Sequence, residues 1–203
     1  LLENIARRAN DEDGAPGRFR ETRFKCRECA DLSGSLLCAI YVDLNAMRAG
    51  EANSPEKARY TSVYLRIKAQ SQHKNARDRA DGWMAELTLR PENKADESLA
   101  YSSRTGRRAS DLGILPMKFE DYLKLLRWTA ELSRSGQRKT IPKDLGAILD
   151  RMDVNQEAWL ETVDHYDTTF CHVVGSPDSI AQAAGRMEAS CLKGTAASRR
   201  VSA

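Results

Sequence analysis

The sequence predicts a mainly α-helical protein, and two observations lead to that prediction. Large apolar side chains recur at helical spacing in the first third of the chain and again after residue 117. Typical helix-start residues stand ahead of several of these stretches. Of the 203 residues, 41% are hydrophobic and 30% are charged. A chain of this composition can form one hydrophobic core of ordinary size or two small ones.

The first part of the chain is expected to contain a short helix, a turn and a basic segment. Residues 1–10 can form a helix, and the turn-prone residues 10–17 follow it. Residues 18–27 are expected to be extended or irregular, with Phe19 and Phe24 as apolar anchors.

The clearest predicted helix begins at about Asp31, with Ser33 or Ser35 as its cap, and runs to Ala49 before Gly50 ends it. Its apolar positions follow helical spacing, so one stripe of the helix should pack against a core. These positions are Leu36, Leu37, Ile40, Leu44 and Met47.

The middle of the chain is less regular. Residues 54–57 resemble a helix start, and residues 61–67 fit either a strand or a helix. Residues 69–113 are polar and charged, which predicts a linker that is partly disordered. A short apolar exception around Trp83 and Leu87 is expected to dock onto another part of the protein.

A second helical unit is predicted after the linker. Its first helix runs from Met117 to Gly136, and the residues after Lys193 are expected to fray because they are small and polar. Three further helix starts are predicted at Pro142, Asn155 and Ser176.

The cysteines and the hydropathy indicate where the protein works. Five cysteines, with no secretory signal and no apolar run of membrane-spanning length, predict a soluble protein of the reducing cytoplasm without a membrane partner. Cys26 and Cys29 form a C-x-x-C pair, but a structural zinc needs four ligands and no second pair stands at that spacing. A thioredoxin-like frame for a redox motif is also not evident.

The most informative side chains lie on the clearest helix. Tyr41, Asn45 and Arg48 occupy positions i, i+4 and i+7, so a helix presents all three on one face. A phenol can attack a phosphodiester, an amide oxygen can bind a divalent metal, and a guanidinium can neutralise phosphate. The alternative interpretation is that Tyr41 is an aromatic core residue beside the apolar stripe.

A basic segment precedes that helix. Arg18, Arg20, Arg23 and Lys25 lie within eight residues, and such clusters serve phosphate binding. Charge runs are also common on solvated surfaces, and the net charge of +3 does not separate the two interpretations. Because the segment stands next to the tyrosine helix, we favour phosphate binding for this cluster.

The two segments resemble those of the REP-associated tyrosine transposases, a branch of the HUH superfamily of single-stranded DNA transposases. That branch carries a segment of the type F-W-E-G-R-F-K and a helix of the type Y-[IV]-x-x-N-P-[IV]-[RK]-A-G. Residues 19–25 read F-R-E-T-R-F-K, and residues 41–50 read Y-V-D-L-N-A-M-R-A-G. Residues 108–117 are similar to a stretch in long bacterial members that add a C-terminal helical extension.

The resemblance implies a function and a set of roles. It implies DNA transposition by tyrosine-mediated strand cleavage and joining, with Tyr41 as the nucleophile and Asn45 as the third ligand of a Mg²⁺ or Mn²⁺ ion. DNA contacts are expected from Arg18, Arg20, Arg23, Lys25 and Arg48. The implied partner is single-stranded DNA at hairpin-forming element ends, and a homodimer is a further expectation.

The resemblance also implies an organisation. Residues 1–67 would be the helical part of an α+β ferredoxin-like HUH domain, in which residues 61–67 belong to a helix. Residues 68–113 would be a polar linker, residues 114–192 an all-α extension and residues 193–203 a disordered tail.

The sequence departs from the family pattern at several positions. Arg20 and Thr22 replace the family's tryptophan and glycine, and Ala46 replaces its proline. The family's His-hydrophobic-His pair, which precedes the tyrosine, is missing, because the histidines are His73, His165 and His172. The expectation is therefore a C-terminal portion of a transposase, truncated or decayed, that is inactive alone. The alternative is a non-catalytic helical module that binds DNA or another protein.

Overall fold

The computed structural model describes residues 2–14, 26–72, 78–89, 113–135, 141–189 and 192–202. These residues are mainly helical, which confirms the predicted class. The helices are α1 (Leu2–Asp13), α2 (Leu32–Arg48), α3 (Ser62–Gln70), α4 (Phe119–Ser135), α5 (Lys143–Arg151), α6 (Gln156–Asp164), α7 (Tyr166–Thr169), α8 (Pro177–Arg186) and α9 (Thr195–Val201). Two short strands, β1 (Glu28–Cys29) and β2 (Val173–Val174), complete them, together with a 3₁₀ helix at Pro55–Lys57.

The N-terminus of α2 is capped by Asp31, where the sequence suggested Ser33 or Ser35. The Asp31 carboxylate accepts hydrogen bonds from the Gly34 amide at 2.8 Å and the Ser33 hydroxyl at 2.7 Å. It also accepts one at 2.6 Å from the amide of Ser176, which caps α8. Burial opposes ionisation of Asp31, but these hydrogen bonds hold its pKa below the usual value. One carboxylate therefore connects the starts of two helices that are far apart in sequence.

A parallel strand pair brings the segment before α2 next to the C-terminal half of the chain. Glu28 pairs with Val173 and Cys29 pairs with Val174. The amide of Ala30 continues the pairing with a 2.9 Å hydrogen bond to the carbonyl oxygen of Val174. Sequence periodicity could not reveal this contact, because two residues are too few to form a recognisable pattern.

The described residues share one hydrophobic core. Leu36, Ile40 and Leu44 of α2 are fully buried against side chains of the C-terminal helices. Those helices contribute Tyr122 and Leu126 of α4, Leu149 of α5, Trp159 and Val163 of α6, and Ile180 of α8. Residues 1–67 and 114–192, which the sequence suggested as separate units, therefore contribute to the same core.

Two segments that the sequence suggested as unstructured contain packed residues. In the expected linker, Leu87 is buried, and Thr88 forms a parallel bridge with Leu115; residues 90–112 lie outside the described part. In the expected tail, α9 packs on α6 and α8. Ser198 of α9 is fully buried and donates a 2.5 Å hydrogen bond to the carbonyl oxygen of Gly175. Small residues at this end permit close packing, whereas their small and polar character alone predicts fraying.

Most predicted helix boundaries after residue 60 agree with the structure. The predicted caps Asn155 and Ser176 cap α6 and α8 through their side chains. Residues 61–67, which fit either a strand or a helix, begin α3, and Thr61 caps it. The third C-terminal helix, however, breaks at His165, which separates α6 from α7. Within the described ranges, no helix has both the length and the apolar character that a bilayer crossing requires.

Gly34, in the first turn of α2, lies against the backbone of β2. A Cβ atom at this position would lie 2.3 Å from the carbonyl oxygen of Val174. Because that oxygen belongs to the backbone, it cannot easily move away to relieve the clash. We expect Gly34→Ala to lower the free energy of unfolding by about 1–3 kcal/mol or more, as overpacking does in other cores. Urea denaturation measures this change.

Gly185 in α8 provides the matched control, because a Cβ atom there would meet nothing within 4 Å. Gly185→Ala should raise the free energy of unfolding by roughly 0.5–1 kcal/mol, since alanine favours helix over glycine. A Gly34→Ala variant that is stabilised as much as Gly185→Ala would show that α2 and β2 do not approach as closely as described.

Candidate functional site

The predicted nucleophile, Tyr41, lies in the middle of α2 and is half-buried. Its ring stacks on the ring of Tyr166, with 4.3 Å between the centroids and 25° between the planes. Tyr166 is 2% exposed and belongs to α7, which follows directly after α6. The tyrosine of the sequence motif therefore forms a contact between α2 and the C-terminal helices.

Arg48 lies two turns after Tyr41 and reaches back to it. Its guanidinium carbon is 5.0 Å from the centroid of the Tyr41 ring, within the range of a cation–π interaction. The same guanidinium donates hydrogen bonds of 2.9 Å to the carbonyl oxygen of Val163 and to the Asp164 carboxylate. The shared helix face predicted for Tyr41 and Arg48 is thus present, and the charge of Arg48 has an acidic partner in α6.

Asn45, the predicted metal ligand, lies one turn after Tyr41 and is exposed. Among the residues that the structure describes, no group of three or more His, Cys, Asp or Glu side chains could hold a metal ion. His165 and His172 are exposed, and the Nδ1 atom of His165 lies 3.0 Å from the carbonyl oxygen of Glu161. His73 lies outside the described residues. The structure therefore does not test the role of Asn45 as a metal ligand, which stays a prediction.

The structure describes the residues that follow the predicted DNA-binding segment, but not the segment itself. Arg18, Arg20, Arg23 and Lys25 lie outside the described part of the chain. Arg27, which follows them, donates hydrogen bonds to the carbonyl oxygen of Phe170 at 3.1 Å and to the Asp167 carboxylate at 2.6 Å. Burial opposes the charge of Arg27, but the bond and the charge of Asp167 raise its pKa above the usual value. Arg27, two residues after the basic segment, is thus attached to the C-terminal helices.

Arg27 also lies over an aromatic ring. Its guanidinium carbon is 5.2 Å from the centroid of Tyr166, the stacking partner of Tyr41. Two arginines and two tyrosines, namely Arg48, Tyr41, Tyr166 and Arg27, therefore form one chain of contacts, which we call the Arg–Tyr cluster.

A buried carboxylate, which the sequence analysis did not single out, lies on the other side of α2. Asp43 is 1% exposed and accepts hydrogen bonds from the hydroxyls of Tyr122 at 2.7 Å and Ser62 at 3.0 Å. The amide of Val63 adds a weaker one at 3.3 Å. Burial and the charge of Asp43 raise the pKa of Tyr122 well above its usual value, so Tyr122 remains a donor.

The sequence did carry a signal for Asp43. It falls at helical spacing between Ile40 and Met47, so a charged residue interrupts the apolar stripe. A buried carboxylate requires hydrogen-bond donors, and here they come from α3 and α4. Asp43 thereby fixes the rotation of α2, which determines where Tyr41, Asn45 and Arg48 point.

A groove of about 940 Å³ begins at Arg48 and runs between the end of α2, residues 50–57 and α4. Its basic lining residues are Arg48, Lys57, Arg127 and Arg134, and its acidic ones are Glu51, Glu56 and Glu131. Arg127 forms an ion pair with Glu56 across the groove. The charges that line the groove are therefore mixed.

Comparison with known proteins gives no match: no family model, no curated protein and no solved structure is significantly similar to the chain.

The Tyr41 contact generates a stability prediction. Tyr41→Ala should lower the free energy of unfolding by on the order of 3 kcal/mol, because it removes the ring that packs on Tyr166. Tyr41→Phe keeps that ring and should change stability far less. Both values are measurable by chemical denaturation monitored by circular dichroism.

Tyr60 serves as the control for this prediction, because its side chain is 98% exposed. Tyr60→Ala should change the free energy of unfolding by no more than about 0.5 kcal/mol. A Tyr41→Ala variant as stable as Tyr60→Ala would show that the Tyr41 ring does not pack as described.

Proposed function

We propose that the chain is part of a single-stranded DNA transposase similar to the REP-associated tyrosine transposases, with Tyr41 as the nucleophile. Its DNA partner would contact Arg48 and the basic segment at Arg18, Arg20, Arg23 and Lys25. Residues 1–67 would correspond to the helical part of a ferredoxin-like catalytic domain.

One observation carries this proposal. Tyr41, Asn45 and Arg48 follow each other along one face of α2 in the order of the family motif, and the guanidinium of Arg48 lies 5.0 Å from the Tyr41 ring. A cation this close to the phenol is suited to bind the phosphate that the phenol attacks. To do so, Arg48 has to exchange its bond to Asp164 for a bond to the phosphate.

The position of the groove is consistent with a strand of DNA near this face. It starts at Arg48 and carries three further cations, so a strand that passes Tyr41 could continue into it. Lys57 and Arg134 would meet its phosphates. The acidic residues of the groove would keep such binding weak.

The metal that the family resemblance implies does not fit the described residues alone. The resemblance implies Asn45 as only one of its ligands, and among the described residues no group of three or more His, Cys, Asp or Glu side chains could hold a metal ion. A His-x-His pair would have to come from another domain or chain. We therefore assign no step of the reaction to a metal held by these residues.

The chemistry proposed for the residues of this chain is a single displacement. The hydroxyl oxygen of Tyr41 attacks the scissile phosphorus, a 5′-phosphotyrosine bond forms, and the 3′ oxygen of the preceding nucleotide leaves. A neutral phenol is a weak nucleophile. Arg48 contributes by neutralising the phosphate, and activation of the hydroxyl requires a further group.

The basic segment generates a binding prediction. Replacing Arg18, Arg23 and Lys25 by alanine should reduce the slope of log affinity against log salt by about two units, because each lost phosphate contact on a single strand removes about 0.7. Fluorescence anisotropy with labelled single-stranded DNA at several salt concentrations measures the slope.

The control replaces three exposed cations of the C-terminal helices, Lys124, Lys143 and Arg151, by alanine. This control removes the same number of positive charges as the Arg18, Arg23 and Lys25 variant. The slope of log affinity against log salt should stay nearly unchanged. Equal slopes for the wild-type protein and the Arg18, Arg23 and Lys25 variant would exclude the basic segment as the phosphate-binding site.

The nucleophile is tested by restoring the histidine pair. The 203-residue chain alone should form no covalent adduct with hairpin-containing single-stranded DNA and Mn²⁺. Fusion to the His-x-His domain of a REP-associated transposase should produce an adduct that denaturing gels and mass spectrometry assign to Tyr41. Tyr41→Phe in the fusion should abolish it, because only the attacking oxygen is lost, and Tyr60→Phe should not.

These outcomes distinguish Tyr41 as the nucleophile from a Tyr41 that takes no part in the chemistry. An adduct that persists in the Tyr41→Phe fusion would exclude Tyr41 as the nucleophile. An adduct formed by the 203-residue chain alone would show that the histidine pair is not needed.

A second function is favoured by a different observation. The Tyr41 ring is stacked on Tyr166, and Arg48 is hydrogen-bonded to Asp164, so both side chains already have partners within the protein. This arrangement supports a non-catalytic helical module that binds DNA or a protein. A folded fusion that binds DNA but forms no adduct with Tyr41 would favour it.

A further inference from the structure

We propose that the ring of Tyr60 is a stacking platform for a nucleobase of the single-stranded DNA that enters the groove. Tyr60 lies in the turn between the 3₁₀ helix and α3, two residues before α3 begins. The inference rests on the proposed function, because it adds a base contact to the same DNA strand. It assigns a binding role to an aromatic residue outside the Tyr41 motif.

The Tyr60 ring contributes almost nothing to the packing of the fold. Tyr60 is 98% exposed, whereas the other tyrosines of the described residues are buried or partly buried. A ring with this exposure keeps both of its faces accessible to a planar ligand. Stacking on such a face requires no rearrangement of the protein core.

The backbone of Tyr60 is strained. Its φ angle is +70°, a left-handed conformation that side chains with a Cβ atom rarely adopt. Tyr60 is the third residue of the turn Ala58–Thr61, which is closed by a 3.3 Å hydrogen bond from the Thr61 amide to the Ala58 carbonyl oxygen. Turns with a positive φ at this position usually take glycine. The exposed ring gains no packing that would offset the strain, and uncompensated strain of this kind is concentrated at binding sites.

The turn holds the ring in a fixed position. Ala58 is fully buried, and its carbonyl oxygen accepts a second hydrogen bond, of 2.7 Å, from the Thr61 hydroxyl. The same hydroxyl oxygen accepts a bond from the Tyr64 amide and so caps α3. A ring that is already fixed at its backbone loses little conformational entropy when a ligand stacks on it.

Two cations flank Tyr60 along the chain. Lys57 and Arg59 are exposed, and neither forms an ion pair within the part of the chain that the structure describes. Lys57 lines the groove that begins at Arg48, the residue beside Tyr41. Sites for single-stranded DNA combine such cations, which follow the phosphates, with aromatic rings on which bases stack. The flanking charges therefore favour a polyanionic partner for this ring over an uncharged one.

The test measures binding of the whole chain to fluorescein-labelled oligothymidine by anisotropy at several salt concentrations. Tyr60→Ala should weaken binding about 5- to 100-fold, as the loss of one stacked base does. The salt slope should not change, because no cation is lost. Tyr60→Phe keeps the ring, so it should bind as the wild type does and leave adduct formation intact. Trp83→Ala, the matched control at another exposed aromatic residue, should not change the affinity.

Two further measurements separate stacking from other effects. Tyr60→Asn removes the ring but suits the left-handed backbone. It should therefore weaken binding as much as Tyr60→Ala does, while its midpoint of urea denaturation rises above that of the wild type. A strand with abasic sites should bind to the wild-type protein and to Tyr60→Ala equally, because it offers no base to stack.

The outcomes distinguish this inference from the proposed function. If the wild-type protein and Tyr60→Ala bind oligothymidine equally well, the stacking role is overturned and the DNA-binding function stands. An equal loss of affinity in Tyr60→Phe, or on the abasic strand, also overturns it, because the ring face is then not the contact. A wild-type protein that binds no single-stranded DNA overturns both.

Discussion

The stacking of Tyr41 on Tyr166 is the contact on which the arrangement of the rest depends. It joins α2 to the helices that follow residue 113, and it occurs where Arg48 and Arg27 bring cations over the two rings. The buried carboxylate of Asp43 fixes the rotation of α2 from the other side through Tyr122 and Ser62. Described residues from both halves of the chain therefore contribute to one hydrophobic core.

This contact also determines what the motif tyrosine can do. A nucleophile must present its oxygen to DNA, and a ring held by stacking gives that oxygen a rigid position. The same stacking would equally suit a tyrosine that serves only to pack against Tyr166. The position of Arg48 favours phosphate chemistry because the cation lies beside the phenol, whereas its bond to Asp164 favours a structural role.

The helices were predictable from local signals, and the connections between them were not. The apolar stripe of α2 and the caps at Asn155 and Ser176 are encoded within a few residues, so the sequence reveals them. The pairing of β1 with β2, and the bond from Ser176 to Asp31, join residues about 145 positions apart. No local pattern contains such contacts. The candidate face of α2 was predictable for the same local reason, whereas Tyr166 and Asp164 as its partners were not.

A double-mutant cycle between Tyr41 and Tyr166 tests the central claim most directly. Tyr41→Leu, Tyr166→Leu and the double variant remove the flat rings while keeping apolar volume. The free energies of unfolding should show a coupling of about 0.5–1.5 kcal/mol, as expected for a stacked aromatic pair. The same cycle between Tyr41 and the exposed Tyr60 should be additive. A coupling between Tyr41 and Tyr166 no larger than that of the Tyr60 cycle would contradict the account.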